Sequence, residues 1–253
     1  MYELPASVRL ALWATHAIAA DRPLTEAIGA ALPDVDAVEG ALPRLELWRD
    51  LGERVVCVDL PRPGVHGGLL PPGGPATQAA IEAGECLFVP SLGGVLVPRL
   101  EYYGPVGDEG LKLTLEPHDS DPVPIHRLEA LALPDIDRRM REAMLAHVDA
   151  LEALEIRPFL GSTARERVDD RLDTARWALP SGLAPRAMRI ITTAGVVVAA
   201  LDEALASSAG LDASSAVARE RTIRSLLGEA ELTLAQAATV AAMGLARDAA
   251  RPR

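Results

Sequence analysis

Residues Cys86 to Leu115 read CLFVPSLGGVLVPRLEYYGPVGDEGLKLTL, three apolar runs separated by glycine-rich turns. Cys86 to Pro90 has the length and apolar content of a buried strand. Gly93-Gly94 turns the chain into Val95 to Tyr103. Pro98 within that run has no N–H for a ladder, which predicts an edge position or a bulge. Gly104 to Gly110 suits a hairpin connection. In Leu111 to Leu115, Lys112 and Thr114 alternate with leucines, the mark of a half-buried antiparallel strand. Upstream, Arg54 to Leu60 (RVVCVDL) predicts a further strand, and Ile125 to Leu131 is a candidate for another. The centre of the chain is therefore an antiparallel-rich sheet.

Helices flank it. Apolar residues recur at three- and four-residue steps from Ser7, a candidate N-cap, to Ala20. Shorter helices are expected from Thr25 to before Pro33 and from Pro43 to Gly52, with Asp34 to Gly40 a connector holding a short strand near Val35. Ala76 to Gly84 is a small-residue helix. After Pro134 the texture turns helical throughout. Asp135 to about Glu155 forms one helix, Ser162 and Thr163 open a second, and residues 186–206 are apolar nearly all round. Ala216 to Leu227 and Leu232 to about Asp248 follow. The fold class is α+β: N-terminal helices and a small antiparallel-rich sheet, then a C-terminal helical bundle. The division falls at residues 1–130 and 131–253, as two domains or one packed unit.

Hydrophobic residues make up 49% of the 253 and aromatics only 3%, so the core is built from Leu, Val, Ile and Ala. The net charge of −11 sits mostly in the first half, which repels phosphate backbones and disfavours nucleic acid as a partner. The start of the chain lacks a basic signal sequence, and Ile190 to Leu201 is too short to span a membrane. A cytoplasmic protein is expected. Cys57 and Cys86 lie in apolar runs outside any CxxC pair, as buried reduced thiols; a disulfide between neighbouring strands stays open.

Pro61 to Pro75 (PRPGVHGGLLPPGGP) carries five glycines and five prolines between a strand and a helix. It lacks the lysine and hydroxyl of a Walker loop and never produces GxGxxG. Its expected role is contact, with Leu69-Leu70 as an exposed tip. Asp59, His66, Gly67, Gly68 and Glu85 are the candidate ligand-binding residues. His66 beside Asp59 has the chemistry of a general base, but no nucleophile is marked out near it. His118, Asp119, Asp121 and His126 fit no defined metal spacing, and no metal or cofactor is expected.

Two segments, LALWATHAIAADRPLTEAI at Leu10 to Ile28 and GGLLPPGGPATQAAIEAGECLFVP at Gly67 to Pro90, resemble an uncharacterised protein family of high-GC actinobacteria. An LALW-type helix and a proline- and glycine-rich loop before an AxxAGE helix, here Ala79 to Glu85, recur there. The resemblance implies a source and assigns no activity. The expected function is a non-catalytic module that binds a protein partner or a small molecule. The alternative is an enzyme with a small-molecule pocket between the loop at 61–75 and the sheet. The apolar last helices leave a homodimer open.

Overall fold

The computed structural model describes residues 4–65, 67–105, 107–153, 179–206 and 213–250. The elements run α1 (Ala6–Ala19), α2 (Leu24–Ala31), β1 (Ala37–Glu39), α3 (Ala41–Asp50), β2 (Cys57–Asp59), α4 (Pro75–Ala83), β3 (Cys86–Phe88), β4 (Val95–Tyr103), β5 (Gly110–His118), α5 (Ile125–Glu129), α6 (Leu133–Ala153), α7 (Pro185–Ala206) and α8 (Ala213–Ala249). The protein is α+β, with the sheet in its first half and long helices in its second.

The five strands lie in the order β1-β5-β4-β3-β2. All neighbours pair antiparallel except β1, which runs parallel to β5. Period-two alternation sorts the side chains onto two faces. Val58, Leu60, Leu87 and Leu96 face the larger core with α1, α7 and α8. Cys57, Cys86, Phe88 and Val95 face a second cluster with Leu69, Leu70, Ala80 and Leu128.

With so few aromatics, close helix approach replaces bulk. Ala11 and Ala14 of α1 and Ala235, Ala238 and Ala242 of α8 are all buried in one core. Two threonines fix these helices to the sheet's edge. Thr15 Oγ1 in α1 accepts the Val56 N–H (2.9 Å) and donates to the Val56 carbonyl (3.3 Å). Thr239 Oγ1 in α8 does the same for Val58, at 3.2 Å both ways. The β2 edge thus finds side-chain partners where a strand would otherwise sit.

Several elements differ from the sequence expectation. Ser7 is not an N-cap: α1 starts at Ala6, and Ser7 bonds a distant carboxylate instead. Ile125 to Glu129 is a short helix, because Pro124 fixes a helical entry and only Leu128 is buried. The last two helices are one, since Gly228 lies inside α8 against Val65 rather than ending a helix. The early strand sits at Ala37–Glu39, beyond Val35. The helix expected to open at Ser162 and Thr163 lies outside the described residues.

Candidate functional site

The sequence-derived candidates fall in two places. Asp59 ends β2, is 2% exposed, and is used up by the loop above it. Its Oδ1 accepts the Leu60 N–H (3.1 Å), and Oδ2 accepts those of Leu69 (2.7 Å) and Leu70 (3.1 Å). Gly68 lies so close that a Cβ there would stand 3.1 Å from Oδ2. Burial pushes the Asp59 carboxyl up, against the pull of those N–H groups and of Arg127. Further ties hold the loop from three helices. Arg127 Nη2 donates to the Gly68 carbonyl (2.9 Å), Gln236 Nε2 to that of Gly67 (3.3 Å), and Thr77 Oγ1 to that of Pro71 (2.6 Å).

The loop is therefore a hub between β2, α4, α5 and α8. Leu69 and Leu70, expected as an exposed tip, are buried at 3% and 6% against the protein's own second cluster. Apolar side chains at the loop's centre fill space that glycine and proline leave around them. His66 lies outside the described residues.

Glu85 is on the other face. In the β2–β3 register Asp59 stands opposite Cys86, so alternation turns Glu85 and Leu60 away from Asp59. Glu85 Oε2 accepts the Ser7 N–H (2.8 Å) and the Ser7 hydroxyl (2.6 Å), which places a carboxylate at the amino end of α1. That end carries unsatisfied N–H groups and a partial positive charge. Burial raises the Glu85 pKa, with Ser7, Arg9 and Arg62 opposing.

Beside Glu85 opens a pocket of about 290 Å³. Its polar groups are Arg62, Glu85, Asp202 and Glu231, and Leu60, Leu100, Val198 and Leu234 supply apolar wall. Arg62 grips Glu231 with two parallel bonds, Nε to Oε2 at 2.7 Å and Nη2 to Oε1 at 2.5 Å. Such a fork is the strong geometry for a guanidinium and a carboxylate. Gly84, at φ +79°, makes room for it: a Cβ there would meet Arg62 Nη1 at 2.9 Å. Burial raises the Glu231 pKa against the Arg62 bonds, and Asp202 and Glu85 push it the same way. Among the described residues, the lining sets three carboxylates around one guanidinium.

Neither Arg62 nor Glu231 was reachable from local spacing, since 169 residues separate them. One trace existed: Glu231 is the single charged residue of α8 from Ala230 to Ala235, among Ala, Leu and Thr. Among the described residues no group of three or more His, Cys, Asp or Glu gathers as metal ligands would. No helix among them is long and apolar enough to cross a membrane.

Residues 7–128 match the family described as Rv1486c-like protein, N-terminal domain, and residues 134–235 match Rv1486c-like protein, C-terminal domain. The chain belongs to the Rv1486c-like proteins. Leu60, Arg62, Glu85 and Leu100 fall in the first match and Val198, Asp202, Glu231 and Leu234 in the second, so both family regions wall the pocket. No curated protein and no solved structure matches the chain.

Proposed function

We propose that the protein is a non-catalytic binding module whose ligand, a small molecule or a partner's side chain, occupies the junction pocket. The observation that carries this reading is the Arg62–Glu231 fork set in a cavity between the two halves, with Glu85 and Asp202 beside it. Pockets between units, mostly apolar with a few convergent polar groups, are the usual place for a ligand. The enzyme reading needs Asp59, His66 and Glu85 to act together, and Asp59 and Glu85 stand on opposite faces of the sheet.

The buried free thiols of Cys57 and Cys86 support a reducing compartment, the cytoplasm. The resemblance of the two quoted segments supports an actinobacterial source. The acidic first half favours partners other than nucleic acid.

A thermal-shift screen of metabolites, amines and nucleotides on the full chain tests the reading. A ligand at about 100 times its Kd stabilises by about 2.7 kcal/mol, which raises the Tm of a domain this large by about 5–10 °C. The same compound should leave Glu231→Gln unmoved. A hit that shifts wild type and Glu231→Gln equally places the ligand elsewhere.

A further inference from the structure

Strand β4 outruns its neighbour on one side. It pairs with β5 as far as Tyr103, but with β3 only at Val95 and Leu96. From Arg99 to Tyr103 every residue is exposed.

The direction of its backbone groups there follows from β5. Leu111, opposite Tyr102, donates its N–H to Asp36 Oδ2 (2.7 Å) and accepts the Asp36 N–H (2.9 Å), both on the β1 side. Opposed residues in an antiparallel ladder either exchange both bonds or turn both sets outward. Tyr102 therefore turns its N–H and C=O away from β5, and by alternation so do Leu100 and Pro98. Pro98, which has no N–H, sits where none is needed. Leu100 and Tyr102 thus offer two donor–acceptor pairs to an edge that no described strand covers.

Their side chains share the face of Leu96, which is also the pocket's face. Leu100 is 51% exposed and Tyr102 78%. A groove of about 380 Å³ lies along this edge between α4 and β4, and shares Ala83, Glu85 and Leu100 with the junction pocket. The two meet at the sheet edge, where Glu85 and Leu100 line both, while Val97, Arg99 and Glu116 alternate onto the opposite face. The pocket's carboxylates are Glu85, Asp202 and Glu231. Its one guanidinium, Arg62, is already engaged with Glu231.

We propose that the β4 edge and the junction pocket form one site for an extended, basic peptide segment. The segment adds as an antiparallel strand beside Leu100 to Tyr102, with a lysine or arginine paired to Leu100 and its side chain laid over Leu100 toward Glu85. Side chains opposite one another on adjacent strands project to the same face, so the residue facing Leu100 is the one delivered to the pocket. Backbone pairing supplies affinity and the pocket supplies selection, as in other strand-addition complexes. The inference rests on the pocket being a ligand site.

The test uses the full chain and fluorescein-labelled, acetylated peptides of sequence Thr-Val-Thr-Xaa-Thr-Val-Thr, read by fluorescence anisotropy. With Xaa arginine, the peptide should bind at least about tenfold tighter than with Xaa leucine or glutamate, the worth of one charged hydrogen bond. N-methylation of Xaa and of the valine facing Tyr102 should cost about tenfold, because it removes the two N–H groups that point at the edge, whereas N-methylation of the two residues flanking Xaa should cost little. Tyr102→Pro should lower affinity similarly. Methylguanidinium alone separates the two readings. If it competes and loses its site in Glu231→Gln while peptides N-methylated at Xaa and that valine bind like unmodified ones, the pocket stands and strand addition is overturned. If neither it nor any peptide binds, both readings fall. If sedimentation shows a dimer that Tyr102→Pro dissociates, the edge belongs to a second copy and the peptide proposal is overturned.

Discussion

Glu53, Asp59 and Glu85 each spend a carboxylate on backbone N–H groups far away in sequence. Glu53 Oε1 accepts those of Ser91 (2.9 Å) and Leu92 (2.7 Å), Asp59 those of Leu69 and Leu70, and Glu85 that of Ser7. Buried carboxylates are tolerated because these bonds replace lost water. Asp59→Ala strands buried N–H groups and should cost about 2–4 kcal/mol in urea unfolding, with faster hydrogen exchange at Leu69 and Leu70. Unchanged exchange there would mean that Asp59 does not hold the loop. Glu85 gives a pH prediction. Its folded-state pKa is raised, so the folded chain binds more protons than the unfolded one between the two pKa values. Its contribution to stability is therefore fully present below the unfolded pKa and falls as pH rises through the folded one. Glu85→Gln keeps an acceptor for Ser7 without the charge. Relative to wild type, its Tm should be higher near about pH 8 than near about pH 5, as circular dichroism melts would read. A difference independent of pH would show that Glu85 carries no such linkage.

At the scale of elements, two hydroxyls decide how helices meet the sheet. Thr15 and Thr239 are wholly buried, and each satisfies both backbone groups of one residue at the β2 edge. Thr239→Val keeps the shape and removes both bonds, so it should destabilise by about 2–4 kcal/mol, whereas Thr239→Ser should cost less than half of that. Equal losses for valine and serine would assign the effect to the methyl group's packing. These contacts explain what the sequence can and cannot disclose. The strands at Cys86, Val95 and Leu111 were legible from alternation and turn chemistry, and Pro98 from its missing donor. The roles of Asp59 and Glu85 were not, because their partners are backbone groups that only the fold brings near. The break expected between Leu227 and Leu232 is absent, and nothing local reveals that Gly228 there gives room to Val65.

For the whole molecule, the larger core decides cooperativity. It joins Leu10, Val58 and Leu87 of the first half to Ile191, Leu234 and Ala238 of the second without a break. Calorimetry should give one transition with equal calorimetric and van't Hoff enthalpies. Two resolved transitions would mean that the halves fold separately. The same junction forms the pocket, where Arg62 from the first half grips Glu231 from the second. The pocket was therefore hidden from any reading of either half alone, while the conspicuous glycine and proline loop is tied into the fold by Asp59, Arg127 and Gln236. The most direct test is amide chemical-shift mapping on the full chain with a ligand found in the thermal-shift screen. Perturbations should centre on Gly84, Glu85, Leu100, Gly195 and Ala199, around the pocket. Perturbations confined to Gly67 through Leu70, with the pocket amides unmoved, would contradict the assignment and return the site to the loop.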